Sequence, residues 1–509
     1  MSGLSKDTAV AVIGAGAMGA GIAQIAAAAG HQVFLYDTRI EAAEKAVAGI
    51  QRTFNMLAEK GKMSFDLAQA SAQRLHVATE LAQLKDVGLA VEAIVENLSV
   101  KQAVFADLEA VVADDCILAS NTSSISITAL AARLRLPGRF VGMHFFNPVP
   151  LMALVEIIRG LATDEAVAET LYATSLAWGK HPVHAKSTPG FIVNRVARPY
   201  YAEALRLLNE QAAEPATIDL IMREAGGFRM GPFELMDMIG HDVNFAVTNT
   251  VYQAYFNDPR FTPSLLQQEL VSAGFLGKKT GRGFYQYGAG VTPPAGNSEV
   301  LLAMADDVVI TSADPLAQAL QQRLTQTGIK VTEALKDGID TPLLVCGGAH
   351  VYLTDGRTAT LRADQNQVAN TILLDLAFDA LTSKRLVLAV ADQCDIAAYQ
   401  AVVGTLQTAG YAVTRVDDAA GMVVMRTVAM LANEAADAVN QGVCDVAAVD
   451  AAMQKGVNYP RGPLKWADTA GIAHIVTVLQ NMADWYGEDR YRISPLLQRK
   501  KINGRKFYD

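Results

Sequence analysis

A glycine motif between two short apolar segments restricts the fold of this chain more than any other feature of its sequence. The segment TAVAVIGAGAMGAGIAQIAAAAGHQVFLYD, residues 8–37, predicts a strand over 9–13, a helix that ends near Gly30 and a second strand over 32–36. Gly14, Gly16 and Gly19 open the helix with the spacing GxGxxG. This order of elements is typical of a βαβ unit that binds a dinucleotide.

Each glycine has a separate role in such a unit. Gly14 permits the tight turn, Gly16 lets the backbone approach a pyrophosphate, and Gly19 lets the helix lie close to the sheet. The amides and partial positive charge of the helix N-terminus, where Ala17 and Met18 lie, attract phosphates. The motif therefore predicts a dinucleotide site, although a glycine-rich unit that binds nothing, or another nucleotide, is the alternative.

The end of the second predicted strand bears on which dinucleotide binds. Asp37 follows that strand directly, where a carboxylate accepts hydrogen bonds from the adenosine ribose. The same carboxylate would repel a 2'-phosphate, so NAD is favoured over NADP. Arg39, two residues later, keeps NADP open as an alternative.

Two further apolar segments continue an alternating α/β pattern. Residues 87–97 predict a strand ending in Glu96, and residues 116–127 predict another that runs into Asn121, Thr122, Ser123 and Ser124. Ligands of doubly wound sheets bind at the carboxyl ends of the strands, so Ser123 is expected near the nicotinamide. The alternative is that Ser123 only caps a helix.

The apolar stretch VGMHFFNPVPLMALVEII, residues 141–158, contains an unexpected histidine and glutamate. Pro148 and Pro150 predict a bend, and antiparallel flanks around it would place His144 opposite Glu156. A histidine of near-neutral pKa suits the removal of a hydroxyl proton, and a carboxylate on its far ring nitrogen would orient it. A core histidine whose hydrogen bonds are simply satisfied is the alternative.

Composition excludes several classes of protein. The formal net charge of the 509 residues is -9 and there is no basic block, so we expect no nucleic-acid partner. The uncharged segment Ala9–Gly30 is long enough to span a membrane, but its glycines and alanines argue against that. The cysteines show no metal-ligand spacing, and they indicate a reducing cytoplasm and no metal site. They are Cys116, Cys346, Cys394 and Cys444.

A pattern in the second half of the chain repeats at a constant offset of 231 residues. TPGFIVNRVARPYYAEALRLLNE at 188–210 returns as AAGMVVMRTVAMLANEAADAVNQ at 419–441. The pattern predicts two copies of one helical domain. Asn194 of the first copy is replaced by Met425 in the second, so we expect the second copy to be structural.

Several motifs occur in the order and at the spacings of a known family. They are VIGAGAMGAGIAQ, VEAIVENLSVK, SNTSSISI, GMHFFNPVPLMALVEII and TPGFIVNR. Together they resemble the L-3-hydroxyacyl-CoA dehydrogenases over about residues 6–287. The resemblance implies oxidation of a (3S)-3-hydroxyacyl-CoA to a 3-oxoacyl-CoA with NAD.

The resemblance also implies roles for particular residues. His144 would be the acid/base and Glu156 its orienting carboxylate, while Ser123 and Asn194 would contact the reacting end of the substrate. Lys60 and Lys62 match a helical arm that reaches coenzyme A, although lysines on a solvated helix are the alternative. The residues implied around the cofactor are Gly14, Gly16, Ala17, Met18, Gly19, Asp37, Glu96, Lys101, Ser123 and Asn147.

The domain organisation combines the repeat with the resemblance. We expect a Rossmann NAD-binding domain, an all-α domain like that of 6-phosphogluconate dehydrogenase, a degenerate Rossmann-like α/β domain and a second helical copy. Their expected ranges, with a linker, are 1–187, 188–287, 288–299, 300–418 and 419–509. The third domain lacks GxGxxG, so it is expected to act as a packing spacer rather than a binding site.

Chains with this duplicated arrangement resemble the phenylacetate-degradation branch, whose substrate is 3-hydroxyadipyl-CoA. A 3-hydroxybutyryl-CoA dehydrogenase of fatty-acid metabolism and β-oxidation is the first alternative. Others are an inactive NAD-binding structural protein and a different β-hydroxyacid dehydrogenase on the same scaffold. A homodimer is expected, with the duplicated helical domains also packing within one chain.

Overall fold

A computed structural model describes residues 2–336 and 340–509. The strands are β1 Val10–Ile13, β2 Val33–Tyr36, β3 Leu75–Ala78, β4 Leu89–Glu92, β5 Ile117–Ser120, β6 Phe140–Phe145, β7 Leu154–Arg159, β8 His181–Lys186, β9 Val308–Ile310, β10 Thr332–Glu333, β11 Leu344–Cys346, β12 Ala349–Leu353, β13 Thr371–Leu374, β14 Arg385–Val390 and β15 Ala412–Arg415.

The helices alternate with these strands and then dominate the second half of the chain. They are α1 Ala17–Ala29, α2 Ile40–Glu59, α3 Phe65–Gln73, α4 Leu98–Val111, α5 Ile127–Ala131, α6 Glu165–Ala177, α7 Val193–Val196, α8 Arg198–Asn209, α9 Pro215–Glu224, α10 Pro232–Ile239, α11 His241–Ala254, α12 Leu265–Ser272, α13 Pro315–Gln326, α14 Ala359–Asn366, α15 Ile396–Thr408, α16 Val424–Asn440, α17 Val446–Gly456, α18 Pro463–Ala470, α19 Ile472–Tyr486 and α20 Pro495–Asn503.

The chain divides into two compact units, of which the first comprises Met1–Arg195 and Ala438–Val457. Its sheet has the order β3-β2-β1-β4-β5-β6-β7-β8. Strands β1 to β6 run parallel, whereas β7 is antiparallel to β6 and β8 follows β7 in parallel. This is the predicted Rossmann arrangement, extended at one edge by a reversed pair of strands.

A helix of the second repeat belongs to this first unit. Helix α17 packs on β7 and β8. A Cβ added to its Gly456 would lie 2.6 Å from Cδ2 of Leu154 in β7, so the glycine permits the close approach. Just before α17, the carbonyl of Val443 accepts the N–H of Lys186 at the end of β8 (2.9 Å). Helix α17 thus covers the reversed edge of the Rossmann sheet.

The second unit comprises Val196–Asp437 and Asn458–Asp509. Its sheet has the order β10-β9-β11-β12-β13-β14-β15 and is mixed, because β9–β11, β11–β12 and β13–β14 are antiparallel pairs. Hairpin β11–β12 was not predicted from the sequence. Helix α9, the counterpart of α17 in the first helical copy, packs on β14.

The two helical copies pack together within the second unit through buried ion pairs. Arg426 Nε donates to Glu203 Oε2 (2.8 Å), and Arg260 Nη1 donates to Glu434 Oε2 (3.1 Å). Glu203 and Glu434 are equivalent positions of the repeat, so each copy supplies a carboxylate to an arginine of the other. Buried charges of this kind require a partner, which fixes how the copies pair.

The repeat extends beyond the helical domains that the sequence revealed. Leu154 of β7 pairs with His181 of β8, and 231 positions later Arg385 of β14 pairs with Ala412 of β15. The antiparallel register of β6 and β7 also recurs in β13 and β14. The third domain is therefore a reduced copy of the Rossmann domain that retains the last strands in the same register.

Candidate active site

The glycine loop has the geometry that the sequence predicts for a dinucleotide site. Gly14 has φ +107° and an added Cβ would lie 2.6 Å from the carbonyl oxygen of Ala93. At Gly19 an added Cβ would lie 1.8 Å from the carbonyl oxygen of Gly14. An added Cβ at Gly16 would have no protein atom within 4 Å, so packing within the described chain does not explain that glycine. The open space beside Gly16 fits a phosphate that approaches the backbone closely.

Asp37 borders a cavity of about 490 Å³ beside this loop. Its Oδ2 accepts the N–H of Ala15 (2.8 Å) and its Oδ1 accepts the N–H of Arg39 (3.0 Å), so the carboxylate is held in place. Gly14 and Gly16 line the same cavity, with Ile94 and Val95 forming an apolar wall. A fixed carboxylate, an apolar wall and an open glycine fit the adenosine end of NAD.

Glu96 lies beyond its predicted strand. The expectation that a strand ends in Glu96 is wrong, because β4 ends at Glu92 and Glu96 follows in the loop before α4. There its Oε1 accepts the N–H groups of Ser123 (3.0 Å) and Ser124 (3.1 Å) and the Thr122 hydroxyl (2.6 Å). Burial opposes the charge, yet the hydroxyls of Thr122 and Ser124 and the charge of Lys101 hold the pKa of Glu96 below its ordinary value.

Lys101 is buried with two carboxylates. Its Nζ lies 2.6 Å from Glu92 Oε1 and 3.3 Å from Glu96 Oε2, and the residue is 1% exposed. Glu92 also accepts the Ser120 hydroxyl (2.7 Å). Sequence reasoning missed Glu92, although a charge at the end of an apolar strand could have identified it. The predicted cofactor residue Lys101 is therefore placed to orient Glu96 through this ion pair.

Ser123 lies at the carboxyl end of β5, where the topology predicts the nicotinamide. The alternative that Ser123 only caps a helix is wrong, because Ser126 caps α5 and accepts the N–H of Ala129 (3.2 Å). Asn121, just after β5, accepts the N–H of Phe145 at the end of β6 (2.8 Å). The Ser123 loop is thereby tied to the strand that carries His144.

His144 and Glu156 are cross-strand neighbours, as the sequence predicts. His144 Nδ1 lies 2.7 Å from Glu156 Oε2, and the two residues are 4% and 0% exposed. A carboxylate only accepts, so Nδ1 carries the proton and Nε2 is free to accept one. The rings of Phe146 and Phe191 lie 4.6 and 5.9 Å from the imidazole ring and shield it from water.

The second oxygen of Glu156 holds the segment that carries Asn194. Glu156 Oε1 accepts the N–H groups of Ile192 and Val193, each at 3.0 Å. Asn194 is the next residue, within α7. One carboxylate thus positions the imidazole through Oε2 and the start of α7 through Oε1.

The remaining predicted residues lie in the turn after β6, at the start of α1 and at the end of α2. Asn147 is exposed in the turn between β6 and β7, and Ala17 and Met18 form the first turn of α1. Lys60 and Lys62 are exposed at the end of α2, the long helix beside the glycine loop. A groove of about 600 Å³ runs between α1 and α2, lined by Gly16, Lys45 and Arg52 among others.

Two negative findings apply to residues 2–336 and 340–509. No helix there is long and apolar enough to cross a membrane. The same residues contain no group of three or more histidine, cysteine, aspartate or glutamate side chains placed to hold a metal ion.

Models of known protein families match most of the chain. The NAD binding domain of 3-hydroxyacyl-CoA dehydrogenase matches residues 9–188, and the C-terminal domain of that family matches residues 190–287 and again 421–506. The chain belongs to the 3-hydroxyacyl-CoA dehydrogenase family. A third model, the reduced Rossmann-fold domain of 3-hydroxybutyryl-CoA dehydrogenase, matches residues 351–419. NAD is therefore the cofactor, and the expected enzyme class is confirmed.

Similar proteins include chains of full and of half length. The chain is 43% identical to 3-hydroxyadipyl-CoA dehydrogenase of Escherichia coli K12, over 97% of both chains. Human mitochondrial hydroxyacyl-coenzyme A dehydrogenase is 42% identical over 55% of this chain and 90% of its own. A crystal structure of 3-hydroxybutyryl-CoA dehydrogenase from E. coli K12 has a TM-score of 0.89 at 40% identity, covering 98% of this chain and 99% of that one. The predicted fold class is confirmed.

Proposed function

We propose that this member of the family oxidises 3-hydroxyadipyl-CoA to 3-oxoadipyl-CoA, with His144 as the base. The distance of 2.7 Å between His144 Nδ1 and Glu156 Oε2 supports the catalytic part of the proposal. The name of the full-length E. coli relative supports the substrate. The phenylacetate-degradation branch that the motifs resemble is the proposed context.

The proposed proton transfer follows from the tautomer of His144. The substrate hydroxyl gives its proton to His144 Nε2, while Nδ1–H remains hydrogen-bonded to Glu156 Oε2. Glu156 stabilises the imidazolium as it forms, without itself taking the proton. NAD, when bound, accepts the hydride from the substrate carbon that carries this hydroxyl.

Other residues are proposed to bind and orient the reactants. The Ser123 hydroxyl and the Asn194 amide would donate to the oxygen that becomes a carbonyl, which suits their places after β5 and in α7. Asp37, Asn147 and Glu96 would contact the cofactor, with Lys101 acting through Glu96. Lys60 and Lys62 are proposed to meet the phosphates of coenzyme A.

A second candidate substrate is 3-hydroxybutyryl-CoA. The full-length solved structure that this chain resembles carries that name. 3-Hydroxybutyryl-CoA is two carbons shorter than 3-hydroxyadipyl-CoA and lacks its distal carboxylate, so relative turnover of the two substrates distinguishes the two candidate functions.

The test is a steady-state comparison of the purified chain with both substrates and with 3-hydroxyhexanoyl-CoA, following NADH at 340 nm. The proposal expects the highest kcat/KM with 3-hydroxyadipyl-CoA and loss of turnover in His144→Gln with every substrate. A higher kcat/KM with 3-hydroxybutyryl-CoA would show that this compound, not 3-hydroxyadipyl-CoA, is the preferred substrate. Full activity of His144→Gln would show that His144 is not the base.

A further inference from the structure

Three arginines line a cavity in the second unit, which is formed mainly by the first helical copy with Arg490 contributed by the second copy. The cavity measures about 340 Å³. Arg198 and Arg206 lie on α8, and Arg490 lies in a short turn after α19. No aspartate or glutamate is among the described residues that line this space. We call it the arginine cavity.

One face of α8 forms the floor of the arginine cavity. Arg198, Tyr201, Leu205, Arg206 and Asn209 line it, a spacing that places all of them along one side of a helix. Opposite them, Phe261 and the residues up to Gln267 form an apolar and hydroxyl-bearing wall. Leu265 at this wall is 79% exposed, so the cavity opens to solvent there.

Arg198 is the most deeply buried of the three arginines, at 6% exposure. Its Nη1 donates to Thr248 Oγ1 (3.1 Å), and its guanidinium carbon lies 4.9 Å from the centre of the Tyr201 ring. Burial lowers the pKa of Arg198, against the opposing effects of Tyr201 and Tyr459. A guanidinium keeps its charge in proteins, so a buried cation faces this space.

The other two arginines carry donors that remain available. Arg206 Nη2 and Arg490 Nε are buried and have no hydrogen-bond partner within the described residues. Glu203 pairs with Arg206, and Glu488 pairs with Arg490, through other atoms. Burial and then the charge of Arg206 lower the pKa of Arg490, and both arginines line the same cavity.

The internal repeat shows that the helical fold does not require these arginines. In α16, the equivalent of α8, Ala429 stands at the position of Arg198 and Asp437 at that of Arg206. Ala429 is fully buried, so the same helix packs well with a small apolar side chain there. The repeat therefore shows that a helix of this pattern can pack without an arginine at this position.

We propose that the arginine cavity is a carboxylate-binding site, in which Arg198, Arg206 and Arg490 receive a carboxylate carried on a short aliphatic chain. Guanidinium groups bind carboxylates through paired hydrogen bonds, and Leu205, Phe261 and Leu266 suit an aliphatic chain. We assign the carboxylate to a free acid, an assignment that does not rest on the function proposed above.

The first measurement is the binding of adipate to the full-length protein by isothermal titration calorimetry. We compare wild type with Arg198→Met and Arg490→Met, and use Arg229→Met, an exposed arginine outside the cavity, as the matched control. Loss of a charge-assisted hydrogen bond should weaken adipate binding about tenfold to a hundredfold in the two cavity variants only. Hexanoate and inorganic phosphate are the comparison probes, and tighter binding of phosphate would overturn the carboxylate assignment.

The second measurement is the ratio of kcat/KM for 3-hydroxyadipyl-CoA to that for 3-hydroxyhexanoyl-CoA in the same variants. An unchanged ratio with weakened adipate binding supports the free acid. A ratio that falls about tenfold or more in Arg198→Met would overturn the assignment to a free acid. Circular dichroism checks that Arg198→Met is folded. Arg490→Met tests the cavity through a second residue if Arg198→Met is not. If neither adipate binding nor the ratio changes in either cavity variant, the proposal is wrong, while dehydrogenase activity on all substrates would still stand.

Discussion

Asp375 in the second sheet occupies the register position that His144 occupies in the first. His144 faces Glu156 across β6 and β7, and Asp375, 231 residues later, faces Val387 across the equivalent pair of strands. The Asp375 carboxylate accepts the N–H groups of Val423, Val424 and Met425, at 2.7–2.9 Å. Burial raises the pKa of Asp375 to about 6.

Both halves of the chain thus use a buried carboxylate to hold the start of a helix, but they supply it from different strands. In the first half Glu156 does this from β7, which leaves the facing position to an imidazole. In the second half the carboxylate itself occupies the facing position, and Val387 replaces Glu156. The reduced sheet retains the structural contact and has Asp375 and Val387 where the first sheet has the His–Glu pair.

Replacing Glu156 with Gln should reduce kcat by about 10²–10⁴, since an amide neither fixes the tautomer of His144 nor stabilises an imidazolium. The measurement is kcat between pH 6 and 9, together with the thermal midpoint. Glu169→Gln is the matched control, because Glu169 Oε1 also lies near a histidine, 3.1 Å from His184 Nε2, at a partly exposed site. Wild-type kcat in Glu156→Gln across this range would exclude the carboxylate from the mechanism.

Asn194 and Met425 stand at equivalent positions of the repeat and should respond oppositely to truncation. Asn194→Ala should lower kcat by about 10²–10³, the typical effect of removing one donor aimed at developing charge. Met425 is fully buried, so Met425→Ala should cost about 2–5 kcal/mol of stability and leave the active-site groups intact. Turnover and denaturant midpoints of both variants test this. Equal losses of activity would contradict a catalytic role confined to the first copy.

Asp37→Ala should raise the KM for NAD⁺ and reduce the preference of the enzyme for NAD⁺ over NADP⁺. Removing a charged acceptor costs about 1.5–3 kcal/mol, or roughly tenfold to a hundredfold in KM. Asp86→Ala, which removes the same charge from an exposed loop, is the control. The assignment fails if the wild-type enzyme already uses NADP⁺ as well as NAD⁺.

His31 should make the NAD-binding domain sensitive to mild acid. Its ring Nδ1 lies 2.9 Å from the carbonyl oxygen of Thr8 and its ring meets Trp178 edge-on, and burial lowers its pKa. A lowered pKa means that the folded state favours neutral histidine. The associated stability is present above pH 6.5 and is lost as the pH falls below that value.

The thermal midpoint of the wild type, followed by tryptophan fluorescence, should therefore fall between pH 7.5 and 5.5 more steeply than that of His31→Gln. His76→Gln, at an exposed histidine in the same domain, serves as the control and should retain the wild-type slope. Identical slopes for the wild type and His31→Gln would show that His31 does not contribute to the acid sensitivity.

The sequence alone determined the parts of this protein that depend on local pattern. Gly14, Gly16, Gly19 and Asp37 lie within one βαβ unit, where spacing dictates position. The His144–Glu156 pair was also predictable, because a bend between two short apolar strands has a register that residue spacing defines. The family motifs and the helical repeat needed only order and offset along the chain.

Tertiary structure decided what depends on residues far apart in the sequence. The spacing of Glu92 and Lys101 does not show that a buried ion pair supports Glu96, and no pattern near 446–456 shows that α17 covers β7 and β8. The equivalence of His144 and Asp375 emerges from strand register, since the reduced domain has lost the glycine motif that identifies its counterpart. Charge and packing at these positions are satisfied only by the folded chain, because their partners come from separate elements.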